Sequence, residues 1–180
     1  MMCQNQNNPA RPQAHFLSWL EAQAGFTLVE LMVVIAIIGI FTAMAIMDLT
    51  QANSKYTVES YTREIHSILM KARNDAANTK VQQLITLAAN QVQVTQDTDG
   101  DGAVDAGEAT TTNAYPRFAI QFAINPIVFD RRGMANAVGN QTIRITGYPA
   151  NAQPGVDCIV VSATRINMGR GWNGGACVQR

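Results

Sequence analysis

The densest chemistry in the chain lies in twelve residues, Asp97-Thr98-Asp99-Gly100-Asp101-Gly102-Ala103-Val104-Asp105-Ala106-Gly107-Glu108. Carboxylates stand at the first, third, fifth, ninth and twelfth places, the Ala103 carbonyl at the seventh, and glycine at the sixth, where such a loop turns sharply. Calcium takes about six to eight hard oxygens, and this is the donor spacing of a calcium loop, with Asp97, Asp99, Asp101, Ala103, Asp105 and Glu108 as ligands. Five acids so close repel one another unless a cation lies between them. A second reading uses the same residues: a solvated hairpin turn in which Asp and Gly serve only turn chemistry. The flanks are not those of a helix–loop–helix calcium site, since Gln91–Thr95 reads as a strand and no helix clearly follows.

Two further constellations lie near the C-terminus. Cys158 and Cys177 are an even pair once Cys3 is set aside, which suits a disulfide in an oxidising compartment. Such a bridge stabilises by roughly 3 kcal/mol, against the alternative of two reduced thiols. Arg165, Arg170 and Arg180, with Arg131, Arg132 and Arg144 elsewhere, offer phosphate contacts, and Trp172 offers a stacking platform for a base. A DNA-binding face and a set of dispersed, solvated arginines both fit, because the formal net charge is zero and sequence does not report clustering. His66 has no second imidazole or cysteine spaced to join it as a metal ligand. No nucleophile–His–acid set, phosphate loop or clustered His/Cys site appears, so the expected role is not enzymatic.

The elements that position these residues begin with an apolar run. Phe26 to Met47 carries a single charge, Glu30. As a helix this run spans roughly 33 Å, enough to cross a hydrocarbon core of about 30 Å. A carboxylate in such a run costs about 2–3 kcal/mol in lipid, so Glu30 requires a partner. The residues around the run carry no clear charge asymmetry: Arg11 and His15 precede it, Lys55 and Arg63 follow.

Gly25-Phe26-Thr27-Leu28-Val29-Glu30, followed by the apolar run with Gly39 inside it, resembles the class III signal of type IV pilins and type II secretion pseudopilins. The resemblance implies that a prepilin peptidase cuts between Gly25 and Phe26 and methylates the new Phe26 terminus. It also implies that Glu30 pairs with the Phe26 amine of a neighbouring subunit. Two features depart from the family pattern. The leader lacks a basic residue close to the cut, and Met47 stands where many members have proline, which predicts a weaker bend in the stem.

The predicted organisation is a leader over 1–25, a transmembrane helix over 26–47, its amphipathic continuation over 48–78 and a β-rich head over 79–180. The continuation shows an apolar stripe at Tyr61, Ile65, Ile68/Leu69, Ala72 and Ala76, with Glu59–Arg63 and Lys71–Asp75 as i,i+4 pairs. The predicted strands are Val81–Leu87, Gln91–Thr95, Phe118–Phe122, Ile127–Phe129, Thr142–Thr146, Cys158–Ser162 and Arg165–Met168. Gly169 to Gly175 reads as a glycine-rich loop. The expected fold class is therefore α+β: a pilin-like long N-terminal helix packed on a small antiparallel sheet.

The head adds a second resemblance. The Asp-rich turn, then Ile127-Val128-Phe129-Asp130-Arg131-Arg132-Gly133, then Ile159-Val160-Val161-Ser162 and a basic end are similar to the minor pseudopilin H family and the related FimT/FimU minor pilins. Together the resemblances imply a structural subunit of a type II secretion pseudopilus, held singly in the inner membrane with a periplasmic head. The alternative they leave open is a FimT/FimU-like minor pilin of a type IV pilus, with a role in DNA uptake. The implied partners are other pilin or pseudopilin subunits, prepilin peptidase and the inner membrane, with DNA as a further candidate and calcium as the one candidate cofactor.

Overall fold

The computed structural model describes residues 25–171 and 176–179, except for the side chains of residues 45–48. Trp172, Arg180, residues 1–24 of the leader and the Met47 side chain therefore lie outside the described residues. The chain divides into two compact units, one ending at Met44 and the other comprising Ala45–Arg180.

One helix, α1 (Leu28–Thr79), opens the fold. Its start is set by Thr27, whose hydroxyl accepts the Glu30 N–H at 3.1 Å while its carbonyl accepts the Leu31 N–H at 3.1 Å. Thr27-x-x-Glu30 is thus the first half of a capping box. In the first unit every described residue from Gly25 to Met44 is exposed, including Leu31, Val33, Ile35 and Ile38. In the second unit the predicted stripe is the buried face: Ile65, Leu69, Ala72 and Ala76 are fully or almost fully buried, joined by Val58 and Thr62. The buried Thr62 hydroxyl is satisfied by donating to the Val58 carbonyl at 2.8 Å. The helix ends where Lys80 adopts a left-handed conformation at φ 60° and returns its N–H to the Ala76 carbonyl at 3.1 Å, an αL stop built without glycine.

The head contains two antiparallel sheets rather than one. The first has order β3-β2-β1-β5, from β1 (Gln82–Ala88), β2 (Gln91–Asp97), β3 (Thr110–Ala114) and β5 (Ile127–Phe129). The second has order β4-β6-β7-β8-β9, from β4 (Ala119–Phe122), β6 (Gln141–Thr146), β7 (Cys158–Val161), β8 (Ile166–Arg170) and β9 (Val178–Gln179). Ile85, Leu87, Val92, Ile127 and Phe129 of the first sheet and Ile143, Ile145, Ile159 and Val161 of the second share one core with α1. Tyr61 on the helix meets Tyr115 edge-on at 4.9 Å between ring centroids. Polar ties fasten the helix to two loops and to the start of β8: Glu59 accepts the Gly155 N–H at 2.7 Å, His66 Nε2 donates to the Ile166 carbonyl at 3.3 Å, and Arg73 donates to the Thr164 carbonyl at 2.8 Å.

Three expectations are corrected. β3 is a strand where none was predicted: Thr-Thr-Thr-Asn-Ala has no apolar alternation, and its pairing with β2 makes it an edge strand. β8 runs through Gly169 and Arg170, where the glycine-rich pattern predicts a loop. A Cβ at Gly169 would lie 2.6 Å from the Val178 carbonyl oxygen and 2.7 Å from Cys177 Sγ, so glycine here admits the neighbouring β9 rather than breaking the strand. Finally, Glu59–Arg63 closes at 3.4 Å, but no Lys71–Asp75 ion pair forms among the described residues. An exposed pair of this kind is worth only a few tenths of a kcal/mol, too little to hold both side chains against solvation and entropy.

Candidate functional site

The acidic loop joins β2 to β3, so it is flanked by strands on both sides. β2 extends to Asp97, placing the first acid at the end of the sheet, where it is only 1% exposed. Its Oδ1 accepts the Gly100 N–H at 2.5 Å, and its Oδ2 accepts the Gly102 N–H at 2.8 Å and Gln82 Nε2 at 2.9 Å. Burial pushes the Asp97 carboxyl up, but these donors outweigh it and hold the group below the ordinary carboxylate range. Glu108 ties the two ends of the loop, accepting Thr98 N–H at 2.9 Å through Oε1 and Asp105 N–H at 3.1 Å through Oε2. Asp99 and Asp101 accept the N–H groups two residues on, from Asp101 at 3.2 Å and from Ala103 at 2.7 Å. Gly100 and Gly102 sit at φ 85° and 80°, which the turn requires.

Two overlapping sets of carboxylates converge. Oxygens of Asp97, Asp99 and Glu108 lie within 4.8 Å of one another, as do those of Asp99, Asp101 and Asp105. Oxygens bound to one calcium ion are at most about 5 Å apart, so either triplet fits within a single coordination sphere. Carboxylate oxygens carry two lone pairs, so donors already in place on Asp97 and Glu108 leave capacity for a cation. The Asp105 carboxyl is pushed up, first by the Asp101 charge, with Asp99, Glu108 and Asp97 adding to it. A divalent ion would relieve that repulsion. Sequence reasoning missed Gln82 as a donor to Asp97; only the β1–β2 register, which pairs the two residues, brings them together.

Cys158 and Cys177 form a disulfide with their Cα atoms 6.1 Å apart, linking β7 to the segment before β9. Arg165 precedes β8 and is exposed, whereas Arg170 ends β8 and is half-buried. Five residues of strand separate them by roughly 16 Å, so the bridge does not gather them at one point. Arg132 is paired with Asp130 at 3.0 Å, and Arg144 lies in β6. Near the start of α1, Glu30 is exposed in the first turn, with its backbone capped by Thr27 and its carboxylate free of any ion pair among the described residues. Gly25 and Phe26 precede the helix, and both are exposed.

Residues 21–46 match the prokaryotic N-terminal methylation motif. Residues 61–165 match the type II transport protein GspH family, which covers more than half of the chain. Among solved structures, the chain is similar to the type IV minor pilin FimU of Pseudomonas aeruginosa (strain PAO1) in two crystal forms. One match has 13% identity over 73% of this chain and 97% of that chain, with a TM-score of 0.49. The other has 14% identity over 67% and 96%, with a TM-score of 0.47.

Proposed function

The chain belongs to the type II transport protein GspH family, and from that premise we propose how its parts work. It is a minor pseudopilin-type structural subunit that carries a methylation motif and assembles with other pilin or pseudopilin subunits after prepilin peptidase processing. The finer reading is that the peptidase cuts between Gly25 and Phe26, that Phe26 is then N-methylated, and that the helix anchors the chain in the inner membrane with a periplasmic head. What carries this reading is the exposed first unit: an apolar helix of mean hydropathy 2.6, none of it buried within the chain, with one carboxylate in its first turn. Such a surface is stable only in lipid or against other apolar helices.

Glu30 has two ways to offset its cost. In the first turn of α1 its charge favours the positive end of the helix, worth about 0.3–1 kcal/mol. That falls short of the about 2–3 kcal/mol insertion cost, so the remainder comes from the Phe26 amine of a neighbouring subunit. Glu30→Ala and Glu30→Gln separate the two. Glutamine retains the size and hydrogen-bonding capacity of the side chain but not its charge. Pairing requires both variants to be inserted and cut yet to co-purify poorly with partner subunits; recovery of assembly by Glu30→Gln would show that assembly does not use the Glu30 charge. Mass spectrometry of the membrane-extracted chain checks processing, and an uncut leader in cells with active peptidase would overturn that step.

Calcium in the loop from Asp97 to Glu108 is the second part of the reading, as a structural ion that fixes the β2–β3 connection. The support is the convergence of the two carboxylate triplets and the repulsion at Asp105. A DNA-uptake role draws no support from Arg165 and Arg170, one just before β8 and the other at its end.

A further inference from the structure

A groove of about 250 Å³ lies where α1 crosses the outer half of the first sheet. Ile68, Lys71, Ala72 and Asp75 line it from the helix, Gln83 from β1, Val94 from β2 and Thr111 from β3. Gln83 points the same way as Ile85 and Leu87, into the helix-facing side of the sheet, and is only 2% exposed. Its Nε2 is buried with no hydrogen-bond partner. A buried polar atom left unpaired costs about 1–3 kcal/mol. An aliphatic residue at this place would be more stable in the isolated chain.

Three observations define what would satisfy the groove. The unpaired amide donor calls for an acceptor oxygen. Ile68, Ala72 and Val94 offer an apolar wall for an aliphatic stem. Lys71 and Asp75 present one charge of each sign at the helix edge, and neither forms an ion pair among the described residues. At one turn apart they match residues i and i+2 of an extended segment, each pair being about 6 Å apart. The mouth is bounded by β3, whose outer edge pairs with no other strand among the described residues and which carries no lysine or proline to block pairing. A volume near eight times that of a liquid water is larger than one bridging solvent molecule requires (about 30 Å³ each).

We propose that this groove receives an extended segment of a neighbouring filament subunit, which inserts a Glu or Gln side chain toward Gln83 and presents opposite charges to Lys71 and Asp75. The inference rests on the reading of the chain as an assembling subunit. It adds a lateral contact made by the head, separate from the Phe26–Glu30 contact of the stem.

The test places a photo-crosslinking benzoyl-phenylalanine at Thr111 of the full chain, in cells that make the partner subunits, with Asn151 as a control position. The expected product is a crosslink at Thr111, absent at Asn151, that mass spectrometry assigns to another subunit. Gln83→Leu should lower that crosslink several-fold while the melting temperature of the purified chain stays level or rises, an outcome that a purely structural glutamine would not produce. Lys71→Glu should lower it as well. If the chain co-purifies with partner subunits but Thr111 yields no subunit crosslink, the groove proposal fails and the family reading stands. An unchanged crosslink in Gln83→Leu also overturns it, leaving a groove filled by water. If the unmodified chain co-purifies with no subunit, the assembly reading itself fails.

Discussion

Removing Asp97 should destabilise the head with or without calcium, whereas removing Asp99 should matter only when calcium is present. The asymmetry follows from the hydrogen bonds. Asp97 is buried and holds three donors, Gly100 N–H, Gly102 N–H and Gln82 Nε2. Hydrogen bonds to a charged group contribute about 1.5–3 kcal/mol each, but the two glycine donors lie in an accessible loop and recover part of this from water. The net cost of Asp97→Ala is therefore about 2–3 kcal/mol, or a fall of roughly 8–12 °C in melting temperature for a domain of this size. Asp99 is exposed and accepts one local bond at 3.2 Å, so Asp99→Ala should lie within about 0.5 kcal/mol of wild type in chelator. With a dissociation constant of about 0.1–1 mM, in the range of extracellular modules, about 5 mM calcium stabilises the native state by roughly 1–2 kcal/mol. The assay is thermal unfolding of the detergent-solubilised chain, wild type and both variants, in chelator and in calcium. Wild type should gain roughly 4–8 °C from calcium, and Asp99→Ala should gain none. A wild-type melting temperature indifferent to calcium would leave the loop as a hydrogen-bonded turn. An Asp97→Ala variant as stable as wild type in chelator would refute the hydrogen-bond reasoning.

Three further outcomes are expected. Leu69→Ala, at a fully buried position on α1, should cost about 2–5 kcal/mol in denaturant unfolding of the head, whereas Met70→Ala on the exposed side should cost well under 1 kcal/mol. Asp97 and Asp130 both have folded carboxyls held below the unfolded value of 3.8, so their stabilisation is complete above that value and is lost as pH falls through the lower folded values; melting temperature should drop below about pH 4, less steeply in Asp97→Asn. Lys80→Gly should stabilise by about 1 kcal/mol, because φ 60° strains a side chain with a Cβ, and an unchanged unfolding midpoint would show that the Lys80 contact to the Arg131 carbonyl offsets that strain.

The stem and its continuation were legible in the residues themselves. An apolar run of 22 residues with Thr-x-x-Glu at its head has few outcomes other than a capped, lipid-facing helix, because every backbone polar group in lipid must be satisfied within the segment. The stripe from Tyr61 to Ala76 likewise named the buried face of α1, since helical periodicity is a local property. The spacing from Asp97 to Glu108 named the acids that converge, for the same reason: all of them lie within one short loop. Tertiary structure decided the rest. β3 has no apolar alternation and exists through its pairing with β2, and Gly169 is a strand residue because the Cys177 segment packs where its side chain would be. Gln82 reaches Asp97, and the Gln83 amide nitrogen is left unpaired above the core, through the cross-strand register of β1 on β2 and the crossing of α1 over both. Register and packing join residues distant in the chain, and their energies depend on partners that no single stretch of sequence contains.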